Sequence, residues 1–188
     1  MQKVKLKDIA TIRFGSNGEH QPTGEAMFLL ARHFDDFGQI NFKQIDSFVP
    51  IDKKVKNQLL QTGNVIFAGK GFRFFAWHYD TSLGNMVASS LFFIIKINSE
   101  YVLPEFLSIY LNQPQQLNFF RQLSAGSNIP SIRKSELEDI EIPLISLEKQ
   151  KQVIHFYQLH LHSLQILQNI EQQKQILANQ MITVLIDN

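Results

Sequence analysis

From Ser146 the chain reads SLEKQKQVIHFYQLHLHSLQILQNIEQQKQILANQMITVLI, through to Ile186, with neither glycine nor proline. Ser146 is a good N-cap, and Glu148 in the first turn meets the positive end of the helix dipole. Apolar residues recur at Ile154, Tyr157, Leu161, Leu164, Leu167, Ile170, Leu177, Met181 and Val184. Those steps of three and four predict one stripe along a helix of about 40 residues, roughly 60 Å long. The opposite face is mostly Gln, Asn and Lys. A helix longer than the domain it leaves cannot bury such a stripe on that domain alone. The pattern therefore predicts a partner helix and assigns these apolar residues to dimerisation. Around Leu164–Ile170 the steps break a strict heptad, which predicts imperfect coiled-coil packing there.

Upstream the texture is different, and the reading is two domains, 1–144 and 145–188. Residues 1–144 predict short strands and helices separated by turn formers, a mixed α/β domain of the α+β class with irregular loops. Strands are expected at Thr11–Phe14, Met27–Ala31, Val65–Ala68, Val87–Ile97 and Ile140–Ile142, with helices at Lys53–Leu60, Pro104–Leu111 and Gln115–Leu123. Gly63 suits a left-handed turn closing the first of these helices. The aromatic segment Phe72–Tyr79 follows the turn at Gly69-Lys70-Gly71.

Of 188 residues, 44% are hydrophobic and 16 are Phe, a composition able to build a core; most of the Phe belong there. There is no Cys, so disulfides and thiolate metal sites are excluded, and a reducing cytoplasm is expected. Neither a signal peptide nor a membrane span is read from the chain, which predicts no membrane partner. A net charge of +1 argues against an extended nonspecific nucleic-acid binder, though not against a local basic face.

Catalytic signatures are missing. There is no Gly-x-Ser-x-Gly turn, and Gly69-Lys70-Gly71 lacks the spacing of a phosphate loop. His155, His160 and His162 have poor metal geometry on a helix. No catalytic centre, metal or cofactor is expected. What remains is a set of loops carrying DNA-reading residue types. Lys70, Arg73 and His78 interleave with aromatics including Trp77, and a second loop offers Ser127, Asn128, Arg133 and Lys134. Cations suit phosphates or the acceptor edge of guanine, Asn suits the adenine edge, and aromatics can stack or touch thymine methyls. Ser16, Asn17 and His20, in the polar loop Gly15–Gly24, are weaker members of the same set. For Phe72 and Phe74 a buried strand is an equal alternative.

The run from Gly126 to Gln150 resembles the end of a target-recognition domain in type I restriction–modification specificity subunits. The matching residues are Leu137, Ile140 and Ile142–Pro143, then the helix start Leu147-Glu148-Lys149-Gln150. Leu6–Ala10 with Gly15, and Leu60–Ala68 with Gly71, extend the resemblance over nearly the whole chain. Two departures stand out. Asn64 occupies a position where the family usually has Asp, and the chain holds one recognition domain and one long helix where full subunits carry two of each. The resemblance implies a non-catalytic module that reads one half of a bipartite site in double-stranded DNA. It further implies docking of methyltransferase and restriction subunits, with S-adenosylmethionine bound by the methyltransferase. A homodimer of antiparallel long helices would then read a symmetric, interrupted site. The rival from another class is a protein-interaction adaptor dimerised by the same helix.

Overall fold

The computed structural model describes residues 2–35, 37–126 and 128–187. Its elements run β1 (Lys3–Lys5), α1 (Leu6–Ile9), β2 (Ala10–Phe14), β3 (Ala26–Leu29), β4 (Phe48–Val49), α2 (Lys53–Lys56), β5 (Asn64–Ala68), β6 (Ala76–His78), β7 (Met86–Ala88), β8 (Phe92–Ile97), α3 (Pro104–Leu111), α4 (Pro114–Leu123), α5 (Lys134–Glu138), β9 (Glu141–Pro143) and α6 (Leu147–Ile186). The class is α+β with a long C-terminal helix. The chain divides into two compact units, Met1–Gln150 and Lys151–Asn188, so the division falls inside α6.

The first unit is organised by an antiparallel sheet in the order β2-β8-β5-β6. Strand β5 is buried along its whole length, and so are the first four residues of β8. Alternation sends successive side chains to opposite faces. Ile66, Ala68, Phe92 and Ile94 meet Leu29, Met86 and Ala88 of the second sheet, β4-β3-β7, in one apolar cluster with Phe75, Trp77 and Tyr79. On the other face Phe67 meets Phe120 of α4 at a ring distance of 4.7 Å, with Phe74 stacked alongside.

The outer edge of β6 would expose the Ala76 backbone, a template for unwanted strand pairing. Asn112 closes it: its Nδ2 donates to the Ala76 carbonyl and its Oδ1 accepts the Ala76 N–H, each at 2.8 Å. In a separate two-stranded sheet β1 pairs with β9. Lys3 meets Glu141 there, and Lys5 and Lys7 share Asp139, whose carboxyl those two lysines lower to about 2. The early lysines are thus tied to acidic partners.

Gly63 sits at φ +81 in a turn where Gln61 N–H donates to the Asn64 side-chain oxygen at 2.9 Å. The turn needs an acceptor, and Asn64 supplies one as an aspartate would. Two expectations are corrected. Val87–Ile97 is two strands in two different sheets, broken at Ser89 where Phe92 N–H returns to the Ser89 carbonyl. The helix expected to reach Leu60 stops at Lys56, because Leu60 N–H is drawn to the Met86 carbonyl at 2.8 Å.

In α6, Ser146 Oγ accepts the Lys149 N–H at 3.3 Å, as an N-cap should. The helix is 40 residues long. Among the described residues, no helix is long and apolar enough to cross a membrane.

Candidate nucleic-acid interface

Antiparallel pairing places the end of β2, the start of β8, the end of β5 and the start of β6 at one edge of the large sheet. The loops that leave this edge are tied to one another through the main chain. Gly15 N–H donates to Phe92 O, Ser16 N–H to Ala88 O and Ser89 N–H to Leu29 O. Gly69 N–H donates to Leu91 O, Gly71 N–H to Pro130 O at 2.9 Å, and Ile132 N–H to Gly69 O at 2.8 Å. Lys70 and Ser131 form an isolated bridge between the two loops on which the sequence reading concentrated. The fold therefore brings Lys70 together with the Asn128–Lys134 segment, and sets the Gly15–Ser16 turn beside them.

These junctions leave no room for side chains. A Cβ at Gly15 would lie 2.1 Å from the Ser89 carbonyl oxygen, and one at Gly69 would lie 2.3 Å from the Phe93 ring. Both glycines are needed for close approach of loop to sheet.

At this end Lys70 is exposed and makes no ion pair among the described residues. Arg133 is exposed just before α5, its own N–H donating to the Glu136 carboxylate at 2.7 Å. Asn17, His20 and Asn128 are exposed too; His20 stacks on Phe28 at 5.3 Å. Lys134 lies half-buried, 3.4 Å from Glu138 one helical turn on. Ser127 lies outside the described residues.

Several expected contacts are reassigned. Trp77 is only 7% exposed and lies edge-on to Phe34 at 5.7 Å in the core. Strand alternation, set by Phe75 and Tyr79 on the same face, carries it inward; it is not a surface contact. Ser16 is also buried, its Oγ accepting the Gly18 N–H at 3.0 Å, and so shapes a turn. Arg73 directs its guanidinium to two backbone carbonyls, Phe34 O at 3.1 Å and Ala31 O at 3.0 Å. It clamps the turn at Ala31–Phe34 to the loop after β5. His78 pairs with Val65 at the far end of β5, away from Lys70.

Next to this turn His33 is fully buried. Leu30 N–H donates to its Nδ1 at 3.2 Å, which leaves the proton on Nε2 to donate to Asp46 Oδ1 at 3.1 Å. Burial lowers the His33 pKa despite that carboxylate. The Ser47 hydroxyl, with Arg32 and His33, holds Asp46 well below the usual carboxylate range. The arrangement fixes the loop, with Asp46 engaged by Arg32, His33 and Ser47. Among the described residues, no group of three or more His, Asp or Glu gathers as metal ligands.

Of the two alternatives left open for Phe72 and Phe74, burial holds for Phe74 and not for Phe72, and Ile129, which no sequence signal singled out, is exposed as well. Phe72 is 81% exposed and Ile129 66% exposed. The signal available for Phe72 was its place directly after Gly71, which has φ +105 and open space around it.

The second unit also needs a correction. Ile154, Tyr157, Leu161 and Leu164 are half-exposed, whereas Leu167, Ile170, Leu177, Met181 and Val184 are exposed. At about 100° per residue, the first group and Ile170, Leu177 and Val184 lie on roughly opposite sides of the helix. The steps of three from Leu161 to Ile170 carry the pattern round from one face to the other. A strict alternation of three and four runs instead through Phe156, Leu159, Ser163, Ile166, Ile170, Gln173, Leu177, Gln180 and Val184, all of them exposed.

Known structures share this architecture. The S subunit of the type I restriction-modification system from M. genitalium matches with a TM-score of 0.58 and 15% identity, over 84% of this chain and 38% of its own. The HsdS subunit from Thermoanaerobacter tengcongensis matches at 0.57 and 15%, over 89% and 39%. A structure concerned with complex assembly and conformational transition of the type I R-M system matches at 0.59 and 16%, over 88% and 39%. No family model and no curated protein matches the chain. The fold is that of type I restriction-modification S subunits, and the chain spans about 38–39% of these neighbours' length.

Proposed function

We propose that the chain is a sequence-specific DNA-recognition module of a type I restriction–modification system, reading one half of a bipartite site. The observation that carries this reading is the convergence of loops at one sheet edge. Main-chain hydrogen bonds lock the platform, while Lys70, Arg133, Asn17, His20 and Asn128 stand exposed on it. Such a platform suits DNA, where cations hold phosphates and Asn and Arg address base edges in the major groove. The shared fold supports the same reading. Methyltransferase and restriction subunits would dock on this module and carry the chemistry, with S-adenosylmethionine on the methyltransferase.

The heptad face of α6 is assigned to a second copy of the chain. An antiparallel register centred on Gln168 sets Ile166 against Ile170, Leu159 against Leu177 and Ser163 against Gln173 of that copy. In these three pairs apolar meets apolar and polar meets polar, which is how buried polar positions select a register; further out, Phe156 falls opposite Gln180. Two recognition units related by this pairing would read a symmetric site interrupted by a fixed gap.

Selection of duplexes from a random-sequence pool, with and without a cognate methyltransferase subunit, tests the reading. A symmetric interrupted site is expected. An asymmetric half-site would remove the symmetric dimer, and no enrichment would favour a protein-interaction adaptor built on the exposed aromatics.

A further inference from the structure

The most exposed large apolar side chain among the described residues is Phe72, at 81%. Its neighbours are held firmly. On one side Gly71 N–H is bonded to Pro130 O and Lys70 is bridged to Ser131. On the other, the Arg73 guanidinium is fixed on the Ala31 and Phe34 carbonyls, and Phe74 is buried between Phe67 and Phe120. The phenyl ring thus stands in solvent on an anchored stem, although Phe74, two residues on, is buried among phenyl rings. Leaving a Phe side chain in water forfeits about 1.5–3 kcal/mol of burial, and its display on an anchored loop makes it available to a ligand. Ile129, 66% exposed, lies one residue before the Pro130 that anchors Gly71, and so adds a second apolar group to the same tip. Cations flank the tip: Lys70 lies two residues before Phe72, and Arg133 follows Ile132, which is bonded to Gly69.

An apolar tip between cations fits a surface with phosphates on either side of an apolar group. In the major groove of DNA that group is the C5-methyl of thymine, the one apolar feature among the base edges. We infer that Phe72, supported by Ile129, reads a thymine methyl within the recognised half-site, while Lys70 and Arg133 hold the adjoining phosphates. This inference rests on the DNA-recognition reading and names a residue and a chemical group for it.

The test uses the full chain, with the methyltransferase subunit where binding requires it, and the duplex selected from the random pool. Each thymine of that duplex is replaced in turn by deoxyuridine, which removes only the methyl. One position should weaken binding by about fourfold, the worth of one buried methyl group. The Phe72→Ala variant should bind thymine and deoxyuridine there equally, while Phe72→Leu should keep part of the preference. Circular dichroism checks that the variants fold, as expected for so exposed a residue. If no position responds to deoxyuridine, or if Phe72→Ala keeps the full preference, the inference is overturned while a selected site still upholds DNA recognition. A loss of affinity in Phe72→Ala equal at every sequence also overturns it, pointing to a wedge between base pairs. Recovery of no site at all overturns the DNA reading itself, and this inference with it.

Discussion

Gln150 carries the strongest prediction about how the recognition unit is held together. Its side chain is fully buried and nearly saturated. Oε1 accepts the Leu103 N–H at 2.8 Å, and Nε2 donates both hydrogens, to Tyr101 O at 2.6 Å and to Ile145 O at 3.0 Å. One amide thereby ties the start of α3, the loop before it and the segment entering α6. Replacement by Ala strands one N–H and two carbonyls. A stranded buried group costs about 1–3 kcal/mol, with carbonyls at the low end because each retains a second lone pair. The expected loss is about 3–5 kcal/mol, a large share of the roughly 5–15 kcal/mol that holds a typical domain. Gln150→Leu should cost a similar amount, because it restores volume and none of the hydrogen bonds.

Gln150→Glu separates the acceptor role of this side chain from its donor role. Its carboxyl can still accept from Leu103, but as an anion it would face two carbonyl oxygens. Only the protonated acid can donate to one of them, so folding raises this carboxyl's pKa above its unfolded value. A raised folded pKa gives stability that is present at low pH and lost as pH rises. The variant should therefore be less destabilised near pH 4.5 than near pH 8, relative to the parent at each pH. Urea denaturation with linear extrapolation measures all three variants. A loss below about 1 kcal/mol in Gln150→Ala would refute the clip, since that is the low end for even one stranded group.

Asn112→Ala should cost about 2–4 kcal/mol by freeing both polar groups of Ala76, and should promote further association through the bared edge of β6; a variant whose assembly state and urea midpoint both match the parent's would contradict the capping role. His33 is held neutral, since a proton on Nδ1 would face the Leu30 N–H. Its folded pKa lies below the unfolded value near 6.5, so its contribution to stability is full above that value and falls away as pH drops below it. Melting temperatures between pH 8 and 5 should show this decline in the parent and a shallower one in His33→Gln; superimposable profiles would disprove it. For the helix pair, a mixture of Ile166→Cys and Ile170→Cys chains, otherwise free of cysteine, should form a disulfide-linked heterodimer faster than either variant forms a homodimer. Equal rates would argue against the register centred on Gln168.

What the sequence made legible was local. The strands at Thr11–Phe14 and Val65–Ala68, the proline-started helices and the turn at Gly63 carry their signals within a few residues. The misreadings came from places where a distant partner decides. In Val87–Ile97 the break is marked only by Ser89-Ser90, a weak turn signal, because the turn there has no Gly, Pro or Asn and is enforced by pairing with two different sheets. Trp77 and Arg73 are the residue types that read DNA, yet the core takes the indole and two carbonyls take the guanidinium. In α6 the apolar residues are dense enough to fit two stripes. Only their angular positions along one continuous helix separate the face of Ile154–Leu164 from the heptad face that begins at Phe156.

The chemistry of the loop junctions bears on how such a module could change its target. Gly69, Gly71, Pro130 and Ile132 hold one another through backbone groups, and so do Gly15, Ser16, Ala88 and Phe92. These bonds are indifferent to side-chain identity, except where Gly15 and Gly69 must lack a Cβ. Lys70, Phe72, Asn128, Ile129 and Arg133, by contrast, send exposed side chains away from the same backbone. Under the proposed DNA-recognition role, a substitution at one of them would alter what the surface offers to DNA without disturbing the bonds that position it. Arg73 marks the boundary of that freedom. It lies beside Phe72 in the chain, but its replacement would release the Ala31–Phe34 turn and with it the packing around Phe34. Altered specificity with unchanged stability is therefore expected from Phe72, whereas Arg73→Ala should lower stability first and binding only as a consequence.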